Sequence, residues 1–189
     1  MPYGMKYVLG VDIGSGSVKL TLLGQDGAVA ATAGCEYPTR YPRPGWCEQD
    51  PEDWCRAFCS ALPRLLQRAG VRAAQIEAAA FDAATHTAVL LDERCQVLRP
   101  AILWTDQRSR AEVEWLKRHF GPTVLGQTLN APTTVWTLPQ MLWLRTHEPE
   151  VFGRVRHILF AKDYLRWRMG GGMETDTIDA AGSMFYDAK

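Results

Sequence analysis

An α/β domain with a mixed sheet, antiparallel at its start, is the fold class that the chain predicts, and three observations carry it. Three strand patterns follow one another at the N-terminus with no helix between them. A strongly amphipathic helix comes next, and from about residue 76 strand and helix patterns alternate. Consecutive strands joined by short turns pair antiparallel, whereas the later alternation supplies crossovers.

The first strand spans 6–13, near-continuously apolar and therefore expected to be central and covered on both faces. In the second, Val18, Leu20 and Leu22 alternate with Lys19 and Thr21, and Asp26-Gly27 turns the chain into a third strand over 28–34. The stretch "YPTRYPRPGW", Tyr37 to Trp46, is a proline-rich ordered loop by composition. A helix start follows: Asp50 can cap, Pro51 suits the first helical position, and Glu52 and Asp53 complement the helix dipole. Trp54, Phe58, Ala61, Leu62 and Leu65 form its apolar stripe, Pro63 is expected to kink it, and Gly70 to stop it. Further strands are expected at 76–82, 86–91 and 97–104, with a short one near 156–160, and helices near 108–119, 138–145 and 162–169. "MGGGME", Met169 to Glu174, reads as a loop or hinge. No internal repeat and no low-complexity segment interrupts this order.

Composition excludes several function classes. With 189 residues, 47% of them hydrophobic, the chain can bury one substantial core. The 21 basic and 21 acidic side chains cancel, so nothing steers it toward nucleic acid or an anionic membrane surface. No window approaches the roughly 18 apolar residues of a membrane span, and the first residues lack a signal-peptide run, so a cytoplasmic location is expected. Cys35, Cys47, Cys55, Cys59 and Cys95 are odd in number and irregular in spacing, which suits reduced thiols. Cys55 and Cys59 share a helix face, but without a CxxC pair or paired histidines they read as packing residues rather than zinc ligands.

"DIGSGSVK", Asp12 to Lys19, carries the chemistry. A glycine-rich turn between two strands can aim several backbone N–H groups at one point, a nest for phosphate oxygens. Gly14 and Gly16 are expected there because a Cβ would obstruct a positive φ or the ligand, while Ser15 and Ser17 can add hydroxyl donors. Asp12, at the carboxyl end of the first strand, is placed to hold Mg²⁺ through water, since this ion keeps much of its hydration shell beside phosphates. Lys19 could neutralise phosphate charge or be a solvated strand lysine. A plain Asp-Gly tight turn would account for "DIG" alone. The stretch is neither a Walker loop nor a dinucleotide fingerprint, because a strand and not a helix follows. It resembles the strand–turn–strand phosphate loop of the actin-like ATPase superfamily.

Five further stretches, "GWCEQDPEDW" (45–54), "RPAILWTDQRS" (99–109), "LPQMLWLRTHEPEVF" (138–152), "KDYLRWRMGG" (162–171) and "TDTIDAAGS" (175–183), are similar, in this order, to the FGGY carbohydrate kinases, most closely to the xylulokinases. The resemblance covers essentially the whole chain. It implies a ribonuclease H-like lobe with a mixed five-stranded sheet whose first three strands are antiparallel, flanked by helices. It makes residues 1–189 an FGGY kinase N-terminal domain, incomplete, with the C-terminal ATP-binding domain elsewhere. It also implies ATP and Mg²⁺ as cofactors, Asp12 close to the ion and the transferred phosphoryl group, and the turn at Gly14, Ser15, Gly16 and Ser17, with Lys19, on the phosphates. Trp104 and Asp106 match a W-x-D-x-R stretch beside the sugar pocket. An indole there makes chemical sense, because the C–H face of a sugar packs on it. His86 aligns with the histidine of a "GQMHG" stretch that contacts substrate, with Thr85 beside it. Here the chain departs from the family: Ala84, Thr85 and Thr87 replace the Gln, Met and a glycine, and Asp82 enters, so the sugar need not be xylulose.

A second departure concerns the general base, an aspartate in a "GGGDN"-like motif of the family. "GGGME" at 170–174 lacks it, and Asp179 falls in a different matching stretch. The expectation is therefore the N-terminal part of a kinase that phosphorylates a ketopentose such as xylulose, or a related sugar or polyol, and is inactive in isolation. The alternatives are a non-catalytic sugar- or partner-binding remnant and a phosphatase of the same superfamily. The expected partners are a small sugar and ATP, without nucleic acid or membrane, and a homodimer is compatible with them.

Overall fold

The structure, a computed structural model, describes residues 6–187. Strands β1 (Tyr7–Ile13), β2 (Ser17–Gly24) and β3 (Val29–Glu36) form the antiparallel meander that the patterns predict. Gly27, at φ +79°, closes the turn between the last two. A two-residue strand, β4 (Glu48–Gln49), leads into helix α1 (Pro51–Ala69). Asp50 caps it by accepting from the Glu52 N–H at 3.0 Å, and Gly70 ends it in the left-handed conformation. Pro63 lies inside this helix without ending it. Trp54, Phe58, Ala61 and Leu65 pack on Leu9, Val11, Val18, Leu20 and Leu22, the main core.

After α1 the chain returns as β5 (Ile76–Ala83), which pairs parallel with β1, so the first sheet runs β3-β2-β1-β5. It is mixed and antiparallel in its first three strands. It has four strands among the described residues where five were expected, because the segments read as strands over 86–91 and 97–104 go to a second sheet. That sheet is antiparallel throughout and ordered β4-β7-β6-β8, built from β6 (Ala88–Leu91), β7 (Ala101–Ile102) and β8 (His157–Phe160) with β4. Residues 97–100 contribute only the Leu91–Val97 bridge, since Asp92 draws residues 92–96 into a tight turn. The full coverage expected of β1 is also corrected: Leu9, Val11 and Ile13 are buried, but Val8 on the opposite face is 43% exposed.

Helix α2 (Arg110–Thr128) runs nine residues beyond the expected end, through Pro122. Helices α3 (Thr137–His147) and α5 (Ala161–Arg168) fall where periodicity placed them, and α4 (Pro149–Arg154) and α6 (Thr177–Ser183) are additions. Residues 169–176, including the glycine run, are irregular, with Gly170 at φ +96°. All five cysteines are free thiols, and burial pushes the Cys55 thiol up to about 11.

A buried ion network ties the second sheet together. Glu48 Oε1 accepts from Arg99 at 2.5 Å and pairs in charge with Arg108 Nη1 2.7 Å away, and Arg99 also reaches Glu148 at 3.2 Å. The Arg108 guanidinium lies 3.8 Å over the Trp46 ring, which packs edge-on against Trp143. Removing one member of such a network leaves buried charge uncompensated. Glu48→Ala should therefore lower unfolding stability by about 3–5 kcal/mol in urea titration, whereas Glu114→Ala, from an exposed pair with Lys117, should change it by less than about 1 kcal/mol. Equal urea midpoints for the two variants would contradict this role.

Candidate functional site

The parallel pairing of β1 with β5 brings the segments that leave their carboxyl ends to one edge of the sheet. From β1 leaves the turn Gly14–Ser17. From β5 leaves the segment 84–87, tethered by the Ala84 N–H to the Ile13 carbonyl at 3.0 Å. The second sheet adds a third contribution. Ala88 on β6 pairs antiparallel with Ile102 on β7, so His86 and Trp104, each two residues beyond that pair, leave the second sheet at the same end.

The turn is held from behind. The Gly14 carbonyl accepts from the Tyr37 hydroxyl at 2.5 Å, the Ser15 carbonyl from Gln49 Nε2 at 2.7 Å and from the Thr39 hydroxyl at 3.2 Å, and the Gly16 carbonyl from the Tyr37 N–H at 3.1 Å. Gln49 is itself fixed, since Trp54 Nε1 donates to its Oε1 at 2.9 Å. A trans peptide points its N–H opposite to its C=O. Three carbonyls turned toward the protein therefore turn the N–H groups of Ser15, Gly16 and Ser17 away from it, and Ser15 and Gly16 are exposed. This arrangement can receive an anion. The expected use of positive φ at Gly14 and Gly16 does not occur: neither has one. A Cβ at Gly14 would meet the Ser17 carbonyl at 3.3 Å, and one at Gly16 would stand in open space, where it could obstruct only an incoming ligand.

Asp12 lies at the edge of this turn, its side chain 46% exposed, with Lys19 Nζ 3.6 Å from Oδ2. Its ladder partners are Lys19 on β2 and Asp82 on β5, so a second, exposed carboxylate stands on the neighbouring strand. Burial and then the Asp12 charge push the Tyr37 phenol well above its usual range.

The sugar-pocket candidates separate. Trp104 is 45% exposed and Thr85 is exposed, both open to a ligand. Asp106 is turned inward and 1% exposed. Its Oδ2 accepts from the Cys47 N–H at 2.6 Å and Arg108 at 2.8 Å, and its Oδ1 from the Arg108 N–H and Nε. Both oxygens are thus engaged within the protein, where they anchor the segment that presents Trp104.

His86 is buried, at φ +59°, with its ring edge-on to Trp136 at 4.6 Å. Its N–H donates to Asp179 Oδ1 at 3.0 Å, and Nδ1 lies 3.3 Å from the same oxygen, too poorly aligned for a hydrogen bond in this geometry. Asp179 Oδ2 accepts from Lys162 at 2.8 Å. Burial alone would raise the Asp179 pKa, but the groups of His86 and Lys162 outweigh it and hold the carboxyl down at about 2. Asp179 and Lys162 were not among the expected site residues, because nothing local in "TDTIDAAGS" indicates a partner 93 residues away.

A carboxyl whose pKa is depressed on folding stabilises the protein above its unfolded value and loses that contribution as pH falls toward the folded one. Between pH 4 and pH 2 the wild type should therefore lose on the order of 2 kcal/mol more than Asp179→Asn, read by urea unfolding at each pH. Parallel stability curves for the two proteins would remove Asp179 from this electrostatic role.

The comparisons with known proteins bear on the family and the fold. The profile of the FGGY family of carbohydrate kinases, N-terminal domain, matches residues 7–189. The xylulose kinase of Bacillus subtilis is 41% identical over 180 residues, covering 95% of this chain and 36% of that protein. Among solved structures, the xylulose kinase of Rhodospirillum rubrum superposes with a TM-score of 0.88 at 29% identity, covering 97% of this chain and 38% of the other. The gluconate kinase of Lactobacillus acidophilus superposes at 0.90 with 25% identity, covering 97% and 37%. The chain thus spans little more than a third of the length of the relatives it matches. It belongs to the FGGY family of carbohydrate kinases, in whose N-terminal domain its fold and its strand-end turn both lie.

Proposed function

We propose that this chain forms the phosphate- and sugar-facing lobe of an ATP-dependent kinase that transfers the γ-phosphate to a hydroxyl of a ketopentose such as xylulose, or of a related sugar. The observation that carries the reading is the convergence of three segments at one edge: a turn with its N–H groups facing outward, the Asp12 carboxylate, and the neighbouring ends that bear Thr85, His86 and Trp104.

Phosphoryl transfer asks a protein mostly for positioning and charge stabilisation. The turn's N–H groups and Ser15 and Ser17 would receive phosphate oxygens, with Lys19 adding positive charge. Among the described residues no group of three or more His, Cys, Asp or Glu side chains is placed to hold a metal ion by itself. The fit is therefore to an ion held through its waters and the phosphates, as Mg²⁺ prefers, with Asp12 as the nearest carboxylate and Asp82 beside it. When bound, the ion supplies neutralisation of phosphate charge. Trp104 would pack on the C–H face of the sugar, Thr85 and His86 would meet its hydroxyls, and Asp106 would serve by holding the Trp104 segment in place. The general base and the adenosine-binding residues would come from outside these 189 residues, so this chain alone should not turn over.

The test is coupled ADP release by the full-length protein with pentuloses, hexuloses, glycerol and gluconate, run beside the 189-residue chain. Turnover with a ketopentose is expected only for the full-length protein. Asp12→Asn should lower kcat by roughly 10²–10³-fold, and Trp104→Ala should raise the sugar KM about tenfold with a smaller effect on kcat. No ADP release with any sugar, or an unchanged KM for Trp104→Ala, would defeat the reading, and turnover by the short chain would show that a base lies within it.

A further inference from the structure

Lys162, the second residue of α5, carries its ammonium into three carboxylates: Asp179 Oδ2 at 2.8 Å, Asp163 Oδ1 at 3.0 Å and Asp176 Oδ2 at 3.1 Å. An ammonium so enclosed fixes Asp179 as an ion. The other oxygen of Asp179, Oδ1, faces a single residue, His86, through its backbone N–H and through ring Nδ1.

An ionised carboxylate repels a bare nitrogen lone pair and attracts an N–H, so Nδ1, 3.3 Å from Oδ1 though not aligned for a hydrogen bond to it, is favoured to carry hydrogen. In a neutral imidazole the other nitrogen, Nε2, is then a bare acceptor. The ring has little freedom to choose otherwise. Trp136 stands edge-on to it, a Cβ at Gly182 would overlap it, and the backbone bond to Asp179 holds His86 in its left-handed conformation. Asp176, which caps α6 through the N–H groups of Ile178 and Asp179, fixes the turn that carries the carboxylate. The Thr87 carbonyl accepts from the Ala161 N–H, so the start of α5, with Lys162 on it, is tied to the His86 segment.

We propose that Asp179 is a positioning residue of the sugar site: it fixes the His86 tautomer so that Nε2 is presented as an acceptor to a neutral substrate hydroxyl. The identity of the ligand rests on the kinase reading above; the tautomer does not. The assignment also sets a specificity. A bare Nε2 accepts from a hydroxyl and repels a carboxylate, so the group recognised at this nitrogen is a neutral hydroxyl and not a carboxylate.

The test is imidazole nitrogen NMR on the ¹⁵N-histidine-labelled full-length protein above pH 8, with His86 assigned by its loss in His86→Gln. Wild-type His86 should show a protonated Nδ1 and an unprotonated Nε2, and Asp179→Asn should move it toward the Nε2–H form usual for free imidazole. In the kinase assay Asp179→Asn should raise the ketopentose KM about tenfold with kcat within about threefold, Asp179→Glu should restore part of the loss, and His86→Ala/Asp179→Asn should be no worse than His86→Ala alone. An Nε2–H tautomer in the wild type, which needs no variant to fold, would overturn the proposal, as would a tautomer unchanged in Asp179→Asn. The predicted tautomer with an unmoved KM would overturn its substrate half. Absence of turnover by every form would defeat the kinase reading, while the tautomer measurement would still decide the role of Asp179.

Discussion

Everything proposed for the site depends on which way three carbonyl groups point. The Gly14, Ser15 and Gly16 carbonyls are drawn inward by Tyr37, Thr39 and Gln49, and trans geometry then sends the following N–H groups outward. The anchors come from the end of β3, the loop after it and β4, and Gln49 is held by Trp54 from the first turn of α1. The proline-rich loop and the helix start therefore do more than connect elements: they set the direction of the turn. A turn secured this way needs no unusual φ at its glycines, which is why a small residue at Gly16 is explained by room for a ligand and not by backbone strain.

Two buried charge networks extend the same logic to the second sheet. Glu48, beside Gln49 in β4, joins Arg99 and Arg108, and Arg108 in turn holds Asp106 two residues beyond Trp104. The indole is thus presented by a segment whose anchor is 1% exposed. Lys162 does the corresponding work for His86 through Asp179. In both cases a charged side chain held within the protein anchors the segment that carries a candidate site residue, Trp104 in one and His86 in the other. Buried pairs of this kind add little net stability compared with apolar packing, but breaking them is costly, so they act as constraints on geometry.

Much of the first sheet was legible in the sequence because its signals are local. The alternation at Val18, Leu20 and Leu22, the Asp26-Gly27 turn, and the Asp50-Pro51 helix start each act within a few residues. The division into two sheets was not legible, since an apolar run such as 88–91 is the same whether it joins one sheet or another. The same limit explains Asp106. Its residue type and motif suit a sugar ligand, and only the fold reveals Arg108 and the Cys47 N–H turned on it. The tethers of the turn, 21 to 34 residues distant in sequence, and the Asp179–His86 contact, 93 residues apart, carry no local signal at all.

The central claim is that the N–H groups of Ser15, Gly16 and Ser17 form a preset anion site aimed by Tyr37 and Gln49. Its most direct measurement is the amide chemical shifts of those three residues in ¹⁵N-serine- and glycine-labelled protein during titration with MgATP, for the wild type and for Gln49→Leu. The account predicts saturable shifts at Ser15, Gly16 and Ser17 in the wild type, and weaker affinity once the Ser15 carbonyl loses its donor. Saturable binding of MgATP that leaves these three amides unmoved, or equal affinity in the two proteins, would contradict it.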